Sequence, residues 1–142
     1  MTTATATASD VRPSKGLHYG LWAAQVLAGL AFVMAGLMKT TTPIADLAVK
    51  MSWVTHTPEG LVRFIGASEL LGGLGLVLPA ATRIKPILTP VAAAALTLVM
   101  VLAAGFHLYL GEPERMPASI VLGVISVFIA WGRFTKAPIA AR

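Results

Sequence analysis

Cysteine is missing from this sequence of 142 residues. Its absence excludes disulfide bonds, thiol redox catalysis and thiolate-bound metals or iron–sulfur clusters as properties of this chain. The three histidines, His18, His56 and His107, lack the spacing of a metal site, so we predict no metal site built from protein side chains alone. Any redox role would therefore need a bound cofactor or a partner subunit.

Charged side chains are also scarce. Only 12% of the residues are charged and 56% are hydrophobic, whereas soluble domains carry about 25% charged residues. The mean hydropathy of +0.79 agrees with an integral membrane protein in contact with the lipid bilayer. The net charge of +5 comes from basic residues that flank apolar runs. They form no basic face for nucleic acid, so we expect no nucleic-acid partner.

Four apolar runs predict four membrane-spanning helices, because about 20 residues at about 1.5 Å each cross a hydrocarbon core about 30 Å thick. The predicted spans cover residues 19–39, 58–78, 87–109 and 117–132. Between the first two, Ile44, Leu47 and Met51 recur at helical spacing, which is typical of a helix on the membrane surface. The predicted fold is all-α: an integral membrane four-helix transmembrane bundle with a short interfacial amphipathic helix between helices 1 and 2.

The predicted organisation is one membrane domain, residues 17–135, between two tails. Residues 1–16 are rich in Thr and Ala and predict a disordered cytoplasmic tail, and residues 136–142 predict a basic cytoplasmic tail. With four spans, the side that holds both termini collects most of the basic residues. The positive-inside rule then places both termini in the cytoplasm.

Glu69 is the most informative residue, because its fifteen neighbours in residues 64–79 are all uncharged. An ionised carboxylate near the middle of a bilayer costs at least about 2.5–3.5 kcal/mol, so such an acid usually has a functional role and a partner. Proton handling for a ligand is one hypothesis. The other is structural: a hydrogen bond or ion pair that joins Glu69 to a neighbouring helix.

Three more ionisable residues fall in the same half of the bundle as Glu69. His107 is a candidate general acid or base, or a haem ligand. Arg63 and Lys39 are candidates to hold an oxyanion or to keep Glu69 ionised, although each is also a common interfacial anchor. Trp53, at the predicted interface, is a further substrate-binding candidate. The sequence leaves open whether Glu69 pairs with Arg63, His107 or Lys39.

Small residues accompany Glu69 on its own helix face: Gly66, Gly72 and Gly73 lie three or four residues away. Glycines at this spacing either let a neighbouring helix approach closely or leave room for a ligand beside the polar group. The sequence does not decide between these two uses.

Several segments taken together resemble the DoxX-like family, over residues from about Tyr19 to Arg133. The segments that carry the resemblance are residues 21–28 (LWAAQVLA), 35–39 (AGLMK), 63–72 (RFIGASELLG), 75–79 (GLVLP) and 106–107 (FH). The family comprises small four-helix membrane proteins of bacteria and archaea, named for subunits associated with thiosulfate:quinone oxidoreductase. The resemblance implies this fold and a prokaryotic cytoplasmic (inner) membrane, and it singles out Lys39, Arg63, Glu69 and His107.

The leading functional hypothesis is that the chain binds or converts a lipophilic, quinone-like small molecule by proton-linked chemistry, as part of a membrane redox system. Glu69 and His107 would be the catalytic residues, and Arg63, Lys39 and Trp53 would bind the substrate. Quinone and haem are the cofactor hypotheses, and neither has a motif. One alternative is a proton-coupled small-molecule transporter. Another is a non-catalytic assembly subunit that pairs with a second copy or with a partner redox subunit.

Overall fold

A computed structural model describes residues 14–142, and most of this range is helical. The α-helices are α1 (Lys15–Thr41), α2 (Ile44–Lys50), α3 (Glu59–Thr82), α4 (Leu88–Tyr109) and α5 (Met116–Trp131). Two 3₁₀ helices (Ser52–His56 and Pro113–Arg115) and a π-helical turn (Gly132–Lys136) complete the chain. Four of the helical segments are long and apolar enough to cross a membrane, which confirms the predicted all-α bundle.

The N-terminal tail predicted over residues 1–16 lies outside the described residues except for its last three. Ser14 caps α1 by accepting a hydrogen bond from the Leu17 amide, at 3.1 Å. Serine is one of the residues preferred at this position because its side chain pairs with an amide that the helix leaves free. For residues 1–13 a disordered cytoplasmic tail stays a prediction, whereas Lys15 and Gly16 belong to the first turn of α1.

The long helices alternate in direction. α1 packs on α3, α3 on α4 and α4 on α5, and the end of α5 returns to α1. We call the end where α1 begins and α5 stops the terminal end; it also holds the α3–α4 connection. The opposite end, which holds residues 42–58 and the α4–α5 connection, is the loop end.

The α1–α3 interface follows buried stripes with residues three and four apart. In α1 the stripe is Leu21, Gln25, Ala28, Gly29, Phe32, Gly36 and Lys39, and in α3 it is Val62, Gly66, Glu69, Gly73, Leu76 and Ala80. A Cβ on Gly36 would lie 2.5 Å from the Leu70 nitrogen, and one on Gly66 would lie 2.6 Å from Lys39 Cβ. Only glycine permits so close an approach of two helices at these positions.

Gly72, one of the three glycines near Glu69 in α3, lies against α4 rather than α1. A Cβ on Gly72 would lie 2.6 Å from Leu96 Cδ2 of α4, whereas one on Gly73 would meet the α1 backbone at 2.9 Å. All three glycines therefore accommodate packed helices.

Pro79 interrupts the hydrogen bonds inside α3. A proline has no amide hydrogen, so the carbonyl four residues earlier, that of Gly75, loses its usual donor. The Thr89 hydroxyl of α4 donates to this carbonyl, at 3.1 Å. Backbone groups inside a membrane must find such partners within the protein, and here a neighbouring helix supplies one.

Segment 44–56 covers the loop end. Leu47 of α2 and Val54 of the first 3₁₀ helix pack with Val62 of α3 in a small buried cluster, beside the partly buried Trp53. The main core lies deeper in the bundle, around Phe32 and residues of the other long helices. Lys39, Arg63, Glu69 and His107 lie in the half of the bundle that this segment covers.

Candidate functional site

Lys39 and Glu69 form a buried ion pair. Lys39 Nζ donates a hydrogen bond to Glu69 Oε2 at 2.7 Å, and the two side chains are only 10% and 6% exposed. Lys39 lies in the last turn of α1 and Glu69 in the middle of α3, so the pair links the two most extensively packed helices. Of the three partners that the sequence allowed for Glu69, the structure selects Lys39.

Arg63 lies one and a half turns before Glu69 in α3 and contacts the end of α1. Its Nη1 donates to the Lys39 carbonyl at 2.9 Å and to the Thr42 carbonyl at 2.6 Å, and its Nη2 lies 3.3 Å from Glu59 Oε1. A cation at a helix C-terminus pairs with carbonyls that have no donor in the helix. Arg63 therefore holds the turn that carries Lys39, and within residues 14–142 no hydrogen bond joins it to Glu69.

His107 belongs to a second polar group at the loop end. Its Nδ1 lies 3.5 Å from Glu112 Oε2, and Ser52 Oγ donates to Glu112 Oε1 at 2.5 Å. The Ser52 hydrogen bond lowers the pKa of the Glu112 carboxyl below its ordinary value of 4.5, and contacts with His107 and Arg115 act in the same direction. This group ties the end of α4 to the 3₁₀ helix that carries Trp53.

The predicted site residues thus form two groups rather than one. Lys39, Glu69 and Arg63 are connected through side-chain and carbonyl contacts between α1 and α3. His107 contacts Glu112, and within the described residues no hydrogen bond or ion pair connects it to the Lys39–Glu69 pair. Trp53 belongs to neither group and packs against the cluster of Leu47, Val54 and Val62.

A third polar group lies at the terminal end and was not predicted from the sequence. Arg133 is 2% exposed, and its Nε donates to Gln25 Oε1 at 2.6 Å. Gln25 Nε2 in turn donates to the Leu76 carbonyl at 2.7 Å. The polar Gln25 in the first apolar run was a signal of a buried partner, but Arg133 follows the last apolar run like an ordinary flanking cation. The π-helical turn Gly132–Lys136 carries it inward.

Within residues 14–142, no cluster of three histidine, aspartate or glutamate side chains is placed to hold a metal ion. The ionisable groups at the loop end include a buried ammonium–carboxylate pair, an arginine and a histidine–carboxylate contact. Such groups can hydrogen-bond a polar ligand and exchange protons with it.

The fold and these buried pairs define a small four-span membrane protein with ionisable groups inside the bundle. The model of the DoxX-like family matches residues 23–129, and the chain belongs to that family. No curated protein and no solved structure gives a match to the chain. The family assignment predicted from the sequence is therefore confirmed.

Proposed function

We propose that this DoxX-like protein binds a lipophilic, quinone-like small molecule at the loop end and exchanges protons with it at Glu69. The observation that supports the proposal is the buried Lys39–Glu69 pair, at 2.7 Å and nearly closed off from the surface. Ionisable groups inside membrane bundles are costly, and they often mark ligand or proton pathways. A purely apolar interface between α1 and α3 would avoid this cost.

The hydrogen-bonding capacity of Lys39 supports a ligand with carbonyl oxygens. An ammonium group carries three donors, and Glu69 Oε2 is the one acceptor for Lys39 Nζ among the described residues. A quinone carbonyl would accept a further hydrogen bond from Lys39, and Glu69, once protonated from solvent, would give its proton to the quinone as the quinone is reduced to the quinol. Because the chain lacks cysteine, the electrons would come from a partner subunit of a membrane redox system.

The remaining candidates have supporting roles in this proposal. Arg63 positions Lys39 by holding the carbonyl of that same residue. Trp53 would contact the ligand from the covering segment, as an amphipathic ring at the membrane interface can. His107 would carry protons between the ligand and Glu112, whose side chain is 21% exposed.

The proposal includes an orientation in a prokaryotic cytoplasmic membrane, with both termini on the cytoplasmic side. Basic residues gather at the terminal end, and the positive-inside rule assigns that end to the cytoplasm. The absence of cysteine makes the test direct, because single cysteines at Lys136 and Thr55 can be labelled without background. A membrane-impermeant maleimide applied to intact cells should label position 55 and leave position 136 unlabelled; the reverse pattern would refute the orientation.

The function is tested by measuring how tightly a decyl-substituted benzoquinone binds to protein purified in mild detergent. Quenching of tryptophan fluorescence reports the binding. We expect Glu69→Gln and Lys39→Met to weaken binding by about tenfold or more, the usual loss for a hydrogen bond to a charged group. Glu114→Gln is the matched control, because Glu114 is an exposed acid outside both polar groups. It should bind like the unaltered protein.

The double variant Lys39→Met/Glu69→Gln separates ligand binding from folding, since it removes both charges together and leaves neither buried alone. If it stays monodisperse and binds the quinone as tightly as the unaltered protein, the proposal fails. If the purified protein showed the absorption spectrum of bound haem, His107 would instead be assigned as a haem ligand.

A non-catalytic assembly subunit is the second candidate, and the packing around the ion pair favours it. Gly36 and Gly66 bring α1 and α3 into backbone contact on the same stripe as Lys39 and Glu69, so the pair can act as a link that fixes the register of two helices. In that case Glu69→Gln should change the oligomeric state or the recovery of a partner redox subunit, while quinone binding stays the same.

A further inference from the structure

Arg133 is a buried cation that, among the described residues, hydrogen-bonds a side-chain amide oxygen and a backbone carbonyl. Its Nε donates to Gln25 Oε1, and its Nη1 donates to the Ala137 carbonyl at 2.9 Å and lies 3.2 Å from His18 Nδ1. The guanidinium carbon lies 5.7 Å from the centre of the Trp22 ring. Its Nη2 is buried and has no hydrogen-bond partner within residues 14–142.

Within residues 14–142, Arg133 forms no ion pair with an acidic side chain. The acidic residues of the described chain all lie in the loop half of the bundle or on its covering segment: Asp46, Glu59, Glu69, Glu112 and Glu114. A buried charge without an opposite charge is costly, more so at the edge of a membrane. A bound anion would supply both the missing charge and the acceptor for Nη2.

A cavity of about 350 Å³ lies beside Arg133 at the terminal end. Its polar lining consists of Lys85, Thr89 and Arg133, and apolar side chains within residues 86–90 and of the C-terminal segment line the rest. The C-terminal segment forms its outer wall, because the Arg142 amide donates to the Arg83 carbonyl at 3.1 Å and Arg83 Nε donates to the Ala140 carbonyl at 2.8 Å. Thus two cations share a cavity whose other walls are largely apolar.

We propose that this cavity binds an anionic phosphate group, either the headgroup of an anionic phospholipid or free phosphate. Arg133 Nη2 and Lys85 Nζ would donate to the phosphate oxygens; the Thr89 hydroxyl would not, because it already donates to the Gly75 carbonyl. The apolar walls suit the glycerol and first acyl carbons of a lipid. Basic pockets between membrane helices at the headgroup level are typical sites for anionic lipids. The site lies at the opposite end from Glu69 and is independent of the function proposed for that residue.

Thermal unfolding of the detergent-purified full chain, titrated with three ligands, tests the proposal. The ligands are dioleoyl phosphatidylglycerol, dioleoyl phosphatidylcholine with the same acyl chains, and inorganic phosphate. We expect phosphatidylglycerol to raise the midpoint of unfolding in a saturable way and phosphatidylcholine to have no such effect. Stabilisation by phosphate alone, equal to that by phosphatidylglycerol, would support the site with free phosphate as its ligand.

Matched variants at the terminal end connect the effect to the cavity. Lys85→Gln should raise the apparent Kd for the stabilising ligand by about three- to tenfold, and Arg133→Lys by about tenfold, because lysine cannot donate through two nitrogens of a planar group. Lys136→Gln removes the same charge from an exposed position outside the cavity lining. It should change the Kd by less than about twofold.

Arg133→Lys keeps the buried charge and Lys85 is exposed, so both variants are expected to fold and to test the site itself. Equal weakening by Lys85→Gln and Lys136→Gln would refute the proposal, because the effect would then come from general surface charge. Equal stabilisation by phosphatidylglycerol and phosphatidylcholine, or stabilisation by none of the three ligands, would refute it as well.

Discussion

Lys39 Nζ lies 2.7 Å from Glu69 Oε2, at the point where the buried stripes of α1 and α3 meet. Lys39 follows Gly36 in the buried stripe of α1, and Glu69 follows Gly66 in the buried stripe of α3. The pair therefore takes the place of two core residues in the bundle, and the packing of α1 on α3 depends on this contact.

Glu69→Gln and Lys39→Met are each expected to lower the free energy of unfolding by about 3–5 kcal/mol, because each leaves one buried group without its partner. The double variant should cost less than the sum of the two single variants, since no charge is then left alone. Denaturant unfolding in mixed micelles, followed by circular dichroism, measures the four free energies.

The exposed pair Glu59–Arg63 provides the control for that cycle. Glu59→Gln breaks a contact at 3.3 Å between side chains that are 59% and 29% exposed. We expect a change of at most about 0.5 kcal/mol. Additive effects of the Lys39 and Glu69 substitutions would show that the buried pair has no coupling energy.

Gly36→Ala and Gly66→Ala test whether close packing positions the ion pair. The new Cβ would lie 2.5 Å from the Leu70 nitrogen in the first variant and 2.6 Å from Lys39 Cβ in the second. Each should destabilise the protein by about 1–3 kcal/mol through forced displacement of the helices. Thermal unfolding in detergent measures the loss.

Gly20→Ala is the matched control in α1, because an added Cβ there meets no atom within 4 Å among the described residues. It should be neutral or should stabilise the protein by up to about 1 kcal/mol, since alanine favours helix. If the alanine variants at positions 36 and 66 behaved like this control, the two helices would not be in backbone contact there.

The fold could be predicted from the sequence because the free energy of placing a segment in a membrane depends mainly on how apolar its residues are. Four apolar runs separated by polar or basic connections leave few alternatives to a four-helix bundle. The amphipathic spacing of Ile44, Leu47 and Met51 likewise indicated the short helix that the structure has at Ile44–Lys50. Glu69 was identified as important for the same reason: its charge conflicts with its surroundings.

Partner choice could not be predicted, because it depends on side-chain reach and on the rotation of each helix. Lys39, Arg63 and His107 all lie in the same half of the bundle, yet only Lys39 meets Glu69, while Arg63 turns to backbone carbonyls. The burial of Arg133 could not be predicted from the sequence either. By sequence it is one more basic residue after an apolar run, and only the π-helical turn and the polar Gln25 direct it into the protein.

The Ser52–Glu112 hydrogen bond gives a pH dependence with a defined sign. Ser52 lowers the pKa of folded Glu112 below the ordinary value of 4.5, so Glu112 contributes stability that is fully present above about pH 4.5 and is lost as the pH falls through the folded pKa. Ser52→Ala should therefore destabilise the protein at neutral pH, and its difference from the unaltered protein should shrink in acid. Thermal unfolding between about pH 7 and about pH 3 measures this difference.

Ser68→Ala is the control for this experiment, because the Ser68 hydroxyl donates to the Phe64 carbonyl of its own helix, at 2.9 Å. Its difference from the unaltered protein should not change with pH over the same range. A pH-independent difference for Ser52→Ala would show that Ser52 does not act through the Glu112 carboxyl.

Thr89→Val is expected to destabilise the protein by about 1–3 kcal/mol, because it leaves the Gly75 carbonyl buried without a donor. Thr97→Val is the matched control: the Thr97 hydroxyl donates to Ala93 of its own helix, where no proline removes the usual amide donor. It should cost less.

The decisive comparison uses Pro79→Ala, which restores an amide donor to the Gly75 carbonyl. In that background Thr89→Val should lose most of its effect, because the carbonyl no longer depends on α4. Unfolding of the two single variants and the double variant in the same detergent measures the coupling. If Thr89→Val cost as much with alanine at position 79 as with proline, the threonine would be stabilising the bundle by some means other than this carbonyl.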